Sequence, residues 1–387
     1  MRIAFVHSNE FPSLEADVVQ VIQMCRAFAA VGQDVTLFVP RARHYSDDRA
    51  AREDISRLFG DGLPFDIVFV PFNTFFGRFK VLGTVRGTLN AIKGKSFDVI
   101  YTRNPWTVLF LPKAGIPYVF EAHEERVHLG SAFLNTFLRS TIVKNSHKSS
   151  CAMIVGISAA LCKIWEGFGV PPEKLVDAHD GVELSHFDVS LSREDARNKL
   201  RLDTHNPVVV YAGSMKKDRG IDLILSSANQ IAELQFYLVG GTDEEIRHWR
   251  SLSARRELSN VHFIGRVSHR EIPVWLAAGD ILLMMWTWQV PTIRGCSPMK
   301  MFEYMAAERL IVGPAFPTIN EVLENGKDSI LFEPDNLEAM VTALRDAIKK
   351  IADPSLPRAA RKKVAEHYTW QARCRRIVDA LTQRGIR

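Results

Sequence analysis

The chain has 387 residues, of which 47% are hydrophobic and 24% charged, with a formal net charge of +5. This length is long for one core and points to two domains, and the composition is that of an ordinary soluble globular protein. Five scattered cysteines (Cys25, Cys151, Cys162, Cys296, Cys374) form no C-x-x-C pair, so neither a disulfide framework nor a zinc site is suggested and a reducing cytosol is the simplest home.

The opening "MRIAFVHSNEFPS" has too short an apolar run for a signal peptide. Its "IAFVH" reads as a strand. Helical spacing follows in "LEADVVQVIQMCRAFAAVG", then the strands "VTLFVP", "DIVFVPF", "VIYTR", "YVFEAH" and "AMIVGIS". The longest apolar stretch, "CAMIVGISAALCKIW", falls short of a membrane span. Residues 184–207 are polar and read as a linker. Beyond them "VVVYAG", the helical "GIDLILSSANQIAEL", "FYLVGG", "VHFIG", "ILLMMW", "LIVGPA" and "SILFEP" repeat the pattern. A last helix, "TWQARCRRIVDALTQRG", follows a proline-containing break near residues 354–357. Such continuous apolar runs suit strands buried on both faces of a parallel sheet. Each half therefore reads as a doubly wound α/β domain, in which ligands bind beyond the carboxyl ends of the strands.

Residues just after the strands are thus the candidates. After "VVVYA" comes "GSMKKDRGID", in which Gly213, Ser214, two lysines and Arg219 precede a helix. Backbone amides, a helix start and a guanidinium there suit an anion, and a solvated basic turn fits equally. In "SPMKMFEYMAAERLIVG", Ser297 is a good N-cap and Pro298 suits the first helical position. Lys300 then lies in the first turn, where the helix dipole disfavours a cation. A bound phosphate resolves that conflict, and an i,i+3 pair with Glu303 is the plainer reading. With a phosphate in place, Glu303 is set to accept two ribose hydroxyls, and "FIGRVS" to offer backbone to a base. Phosphates and a ribose make a nucleotide.

The order "VVYAGSMKKDRGID", "FYLVGG", "VHFIGRVSHREIPVWLAAGDILLM" and "SPMKMFEYMAAERLIVGPAFPTINEVLENGKDSILFEPDN" resembles the catalytic domain of glycosyltransferase family 4. "CRAFAAVGQDVTLF", "FEAHE" and "GISAALCKIWEGFGVPPEKLVDAHDGVEL" resemble its first half more loosely. The resemblance implies the GT-B architecture: two facing Rossmann-like doubly wound domains, with a C-terminal helix crossing back to the first. The corresponding boundaries are 1–190 for an acceptor domain, 191–366 for a nucleotide-sugar domain and 367–387 for the returning helix. It implies that Glu303 holds the donor ribose and that Arg219 stands at a diphosphate-binding position usually held by Lys. The same resemblance implies that Ser297, Pro298, Met299 and Lys300 form the diphosphate-contacting helix start, that Gly265, Arg266 and Val267 line the base, and that His123 sits at the donor sugar.

Two departures bear on the donor. Ser214 replaces a frequent Arg, and Gly295, beside Arg294, replaces the first acid of the family's paired-glutamate motif. Arg294 near the donor sugar would suit a uronic acid. The resemblance implies retaining transfer of a sugar from a UDP- or GDP-linked donor, by a metal-independent, hexosyltransferase-like enzyme. No Asp-x-Asp pair occurs to suggest a metal clamp, and no cofactor or nucleic acid is expected. The alternatives are a non-catalytic nucleotide-sugar-binding protein and a GT-B epimerase.

Charge is uneven. Residues 67–165 carry twelve Lys and Arg against four acids, so the first half expects an anionic partner. Two acid-free runs there, residues 67–97 and 126–165, mix apolar and basic residues. In "AFLNTFLRSTIVK", Phe133, Leu134, Phe137 and Leu138 with Arg139 and Lys144 have the composition of an interfacial helix, or of a core-facing helix with a basic outer side. The first reading expects a cytoplasmic protein, peripheral on an anionic membrane, with a glycolipid or polysaccharide precursor as acceptor.

Overall fold

The computed structural model describes residues 1–13, 15–60, 62–70, 80–127, 130–187, 190–202 and 205–387. It divides into two compact units, Met1–His179 with Trp370–Arg387, and Asp180–Thr369. The division falls ahead of the polar stretch read as a linker, because Asp180 is already tied into the second unit: its amide donates to Ser297 Oγ at 2.9 Å.

The first unit holds a seven-stranded sheet of Arg2–Val6 (β1), Asp34–Pro40 (β2), Asp66–Val70 (β3), Val99–Thr102 (β4), Tyr118–Ala122 (β5), Cys151–Gly156 (β6) and Leu175–Asp177 (β7). All pairings are parallel, in the order β3-β2-β1-β4-β5-β6-β7. β7 escapes a sequence reading because it has three half-buried residues, too few to show a pattern. The second unit holds Val208–Ala212 (β8), Gln235–Val239 (β9), Val261–Gly265 (β10), Ile281–Leu283 (β11), Leu310–Pro314 (β12) and Ile330–Phe332 (β13), parallel throughout in the order β10-β9-β8-β11-β12-β13.

Every residue of β4, β5, β6, β8 and β12 is buried, which explains their unbroken apolar runs. Strand order reverses between β1 and β4, and again between β8 and β11. Those two switch points are where such sheets open a crevice.

The last helix, Trp370–Gln383, belongs to the first unit. It buries Trp370, Arg373, Cys374, Ile377 and Leu381, an i, i+3, i+4, i+7 face. Arg373 Nε donates to Ala178 O at 3.2 Å, and Cys374 Sγ lies 3.7 Å from Met24 O.

Helix Ala132–Ser146 corrects one expectation. Leu138 and Ile142 are buried in the core, and Leu134 is half-buried. Only Phe133 (78% exposed) and Phe137 (47%) face outward, one turn apart. Arg139 lies with its guanidinium 4.3 Å from the Phe168 ring centre, while Lys144 is exposed. The apolar surface is therefore two phenylalanines, not four residues. In the other acid-free run, residues 71–79 lie outside the described residues, so the stretch "FNTFFGRF" has no structural account.

Candidate active site

In the second unit the site is built on a pinned backbone. At the ends of β8, β9 and β10, Gly213 N donates to Val239 O (2.8 Å) and Gly240 N to Gly265 O (2.7 Å). Gly240 has φ +113°, and a Cβ there would lie 2.2 Å from Gly213 O, so only glycine allows this approach. Ala212 N, at the end of β8, takes the Tyr304 hydroxyl as acceptor at 2.8 Å.

Helix Met299–Ala306 has Pro298 at its N-cap. Ser297 does not cap it, because its Oγ is spent on the Asp180 amide. The Lys300 side chain leans back beyond the helix start, as helical side chains do. Its ammonium lies 4.5 Å from the Tyr211 ring centre and 4.9 Å from that of Trp286. A Cβ on Gly213 would come within 2.3 Å of Lys300 Nζ. Two aromatic faces thus ease a cation at the positive end of a helix.

Among the described residues no carboxylate forms an ion pair with Lys300, and Glu303 makes no side-chain hydrogen bond; the i,i+3 pair does not form. Burial, then the Arg219 charge, pushes the Lys300 ammonium down to about 7, with Glu303 opposing. Burial likewise raises the Glu303 carboxyl, against His269 and Lys300.

Arg219 ends the turn Lys217–Arg219, ahead of Gly220, whose φ of +69° starts the next helix. Its Nε is buried without a hydrogen-bond partner, 3.6 Å from Asp218 Oδ1. Lys216 and Lys217 are exposed. Four of the loop's amides are taken: Gly213 on Val239 O, Met215 on Glu245 Oε2 (3.3 Å), Lys216 on Ser214 Oγ (3.4 Å) and Arg219 on Lys216 O.

Gly265 and Arg266 line a cavity of about 620 Å³ with Thr242, Arg247 and Arg250. Val267 packs instead against the hydrophobic core. Arg294 is exposed on a turn, and Gly295 beside it is buried.

In the first unit, polar groups gather at the carboxyl ends of β1, β4 and β5. His123 Nε2 lies 2.5 Å from Glu121 Oε1. Glu121 is wholly buried and also accepts from Gln20 Nε2 (2.8 Å), the Tyr101 hydroxyl and Arg373 Nη1 (3.1 Å). Burial alone would raise its carboxyl; Arg373, His123 and Arg103 together hold it well below the usual range. His7 lies 3.5 Å from Asp17, and its imidazole is pushed down to about 4 by burial and by Arg103.

Sequence reading missed Tyr211, Trp286 and Tyr304, which look like ordinary core aromatics. It also missed His7 and Arg103, although both directly follow strands and the carboxyl-end rule would have found them. Arg373 had no signal, since its partner Glu121 is 252 positions away. Among the described residues no group of three or more His, Cys, Asp or Glu is arranged to hold a metal ion, and no helix is long and apolar enough to cross a membrane.

Two family descriptions match the chain, Glycosyltransferase Family 4 over residues 18–186 and Glycosyl transferases group 1 over residues 206–350. The chain is a family 4-like glycosyltransferase. No curated protein matches it. The glycosyltransferase shares its GT-B fold with sucrose-phosphate synthase from Thermosynechococcus elongatus (18% identity, TM-score 0.76, 99% of this chain and 98% of that one). A glycosyltransferase from Rickettsia africae is similar over the same shares (15%, TM-score 0.77). So is Anabaena Alr3699/HepE, solved with UDP and glucose (16%, TM-score 0.74, 98% and 99%).

Proposed function

We propose that this glycosyltransferase takes its sugar from a UDP- or GDP-linked donor and transfers it with retention of configuration. The carrying observation is Lys300: an ammonium over two aromatic rings, with Arg219 near and no carboxylate paired to it. Two like charges held together call for an anion, and a diphosphate supplies it. Glu303, a turn along the same helix and without a side-chain hydrogen bond, accepts the ribose hydroxyls. The cavity at Gly265 and Arg266 takes the base. The Anabaena structure with UDP and glucose supports this donor class by its fold.

In the reaction the anomeric C–O bond to the diphosphate breaks and a bond to the acceptor oxygen forms on the same face. Lys300 and Arg219 stabilise the charge that develops on the leaving group, the role a metal plays elsewhere. The acceptor proton passes to the departing phosphate oxygen, and His123 orients the sugar. The acceptor is a membrane-associated glycolipid or polysaccharide precursor, met at the cytoplasmic face through the basic first half and the exposed Phe133 and Phe137.

Glu303→Ala tests the ribose contact. Affinity for the free nucleotide should fall with the melting temperature unchanged. Wild-type affinity in this variant would remove Glu303 from the site.

A further inference from the structure

We infer that the buried carboxylate of Glu121, held by Arg373 of the C-terminal helix, is a positioning group that locks the His123 imidazole in one orientation and one tautomer for sugar transfer. The inference rests on the proposed role of His123 in that reaction.

Glu121 sits in β5 with no exposure, and its two oxygens receive four donors. Oε1 takes Gln20 Nε2 at 2.8 Å and faces His123 Nε2 at 2.5 Å, and Oε2 takes the Tyr101 hydroxyl and Arg373 Nη1 at 3.1 Å. An ionised carboxylate only accepts, so the imidazole must carry its proton on Nε2. A neutral ring is then committed to the Nε2–H form, as in other sites where a carboxylate fixes a working histidine.

Burying a carboxylate so completely is costly unless a cation is buried with it. Arg373 meets that need from 252 positions away in sequence. The link runs further: the Gln20 amide that donates to Glu121 also accepts from Arg103 Nη1 at 2.8 Å. One carboxylate therefore orders both His123 after β5 and, through Gln20, Arg103 after β4, the strand that borders the switch point.

A merely structural ion pair predicts lost stability and nothing else. The positioning role predicts more. In protein labelled with ¹⁵N-histidine, wild-type His123 should show the Nε2–H pattern. Glu121→Gln should give mixed or exchanging imidazole signals. Its kcat should fall on the order of 10- to 100-fold, the usual scale for a group one shell behind the working one, with the donor KM unchanged. Tyr101→Phe removes one donor without stranding a buried charge, so it folds if Glu121→Gln does not, and should shift both readouts in the same direction. An Nδ1–H pattern in the wild type overturns the inference. So do wild-type imidazole signals and kcat in both variants, or a lowered melting temperature alone. His123→Ala separates the two ideas. If it turns over normally while the imidazole signals respond as described, the reading of His123 in the reaction has failed. If it is inactive while those signals stay fixed in the variants, the positioning role has failed.

Discussion

Raising the pH from 7 to 9 should strip this enzyme of its donor through one residue. Burial and the neighbouring Arg219 push the Lys300 ammonium down to about 7 from its ordinary 10.5. The diphosphate of a nucleotide sugar does not titrate in that window, so the protein side alone sets the dependence. Binding requires charged Lys300, and apparent affinity scales with the charged fraction. By pH 8 roughly a tenth of the molecules carry the charge, so the apparent Kd should rise about tenfold over its low-pH limit, and about tenfold again by pH 9. Titration calorimetry in buffers of different ionisation enthalpy should then show close to one proton taken up per site near pH 8. Lys300→Arg, which stays charged, should bind with a flat pH profile, and Lys300→Met should bind weakly at every pH. Stability without ligand should move the other way. The folded pKa lies below the unfolded one, so the unfolded chain binds more protons between about 7 and 10.5 and stability rises with pH across that window. A flat Kd from pH 7 to 9 with no proton uptake would refute the assignment of Lys300 to the diphosphate.

Gly213→Ala should weaken donor binding, because its Cβ would press within 2.3 Å of the flexible end of Lys300, and should also lower the melting temperature, because φ there is +154°; calorimetry well below the melt reads the affinity, and unchanged affinity would place Lys300 outside the site. The first unit should pellet the protein with anionic liposomes and release it in high salt, since each Lys or Arg near an anionic leaflet contributes about 1 kcal/mol. Replacing Phe133 and Phe137 with serine should reduce that binding. Equal, weak binding to neutral and anionic vesicles at low salt would favour a soluble acceptor.

Most of the sheet was legible because parallel strands buried on both faces leave unbroken apolar runs, as in "VVVYAG" and "AMIVGIS". The conflict of Lys300 at a helix start was legible too, since dipole and charge are both local. What eases it was not: Tyr211 and Trp286 stand 89 and 14 positions before Lys300 in the chain, and only the parallel packing of β8 beside β11 brings them together. Ser297 was misread because capping preference is local, whereas its hydroxyl is claimed by Asp180 from 117 positions away. The same limit hid Arg373. Helix Ala132–Ser146 shows the converse, where composition alone put Leu138 on the surface although it lies on the core-facing turn with Ile142.

The account turns on transfer from a nucleotide sugar, and steady-state release of UDP or GDP from the corresponding sugar nucleotides in the presence of a lipid extract measures it directly. The purified protein should release nucleotide only when extract is present, and should form a glycosylated product whose new linkage keeps the donor's anomeric configuration. Lys300→Met should abolish both. Tight nucleotide-sugar binding without turnover would mark a binding protein, and an inverted linkage would contradict the retaining mechanism.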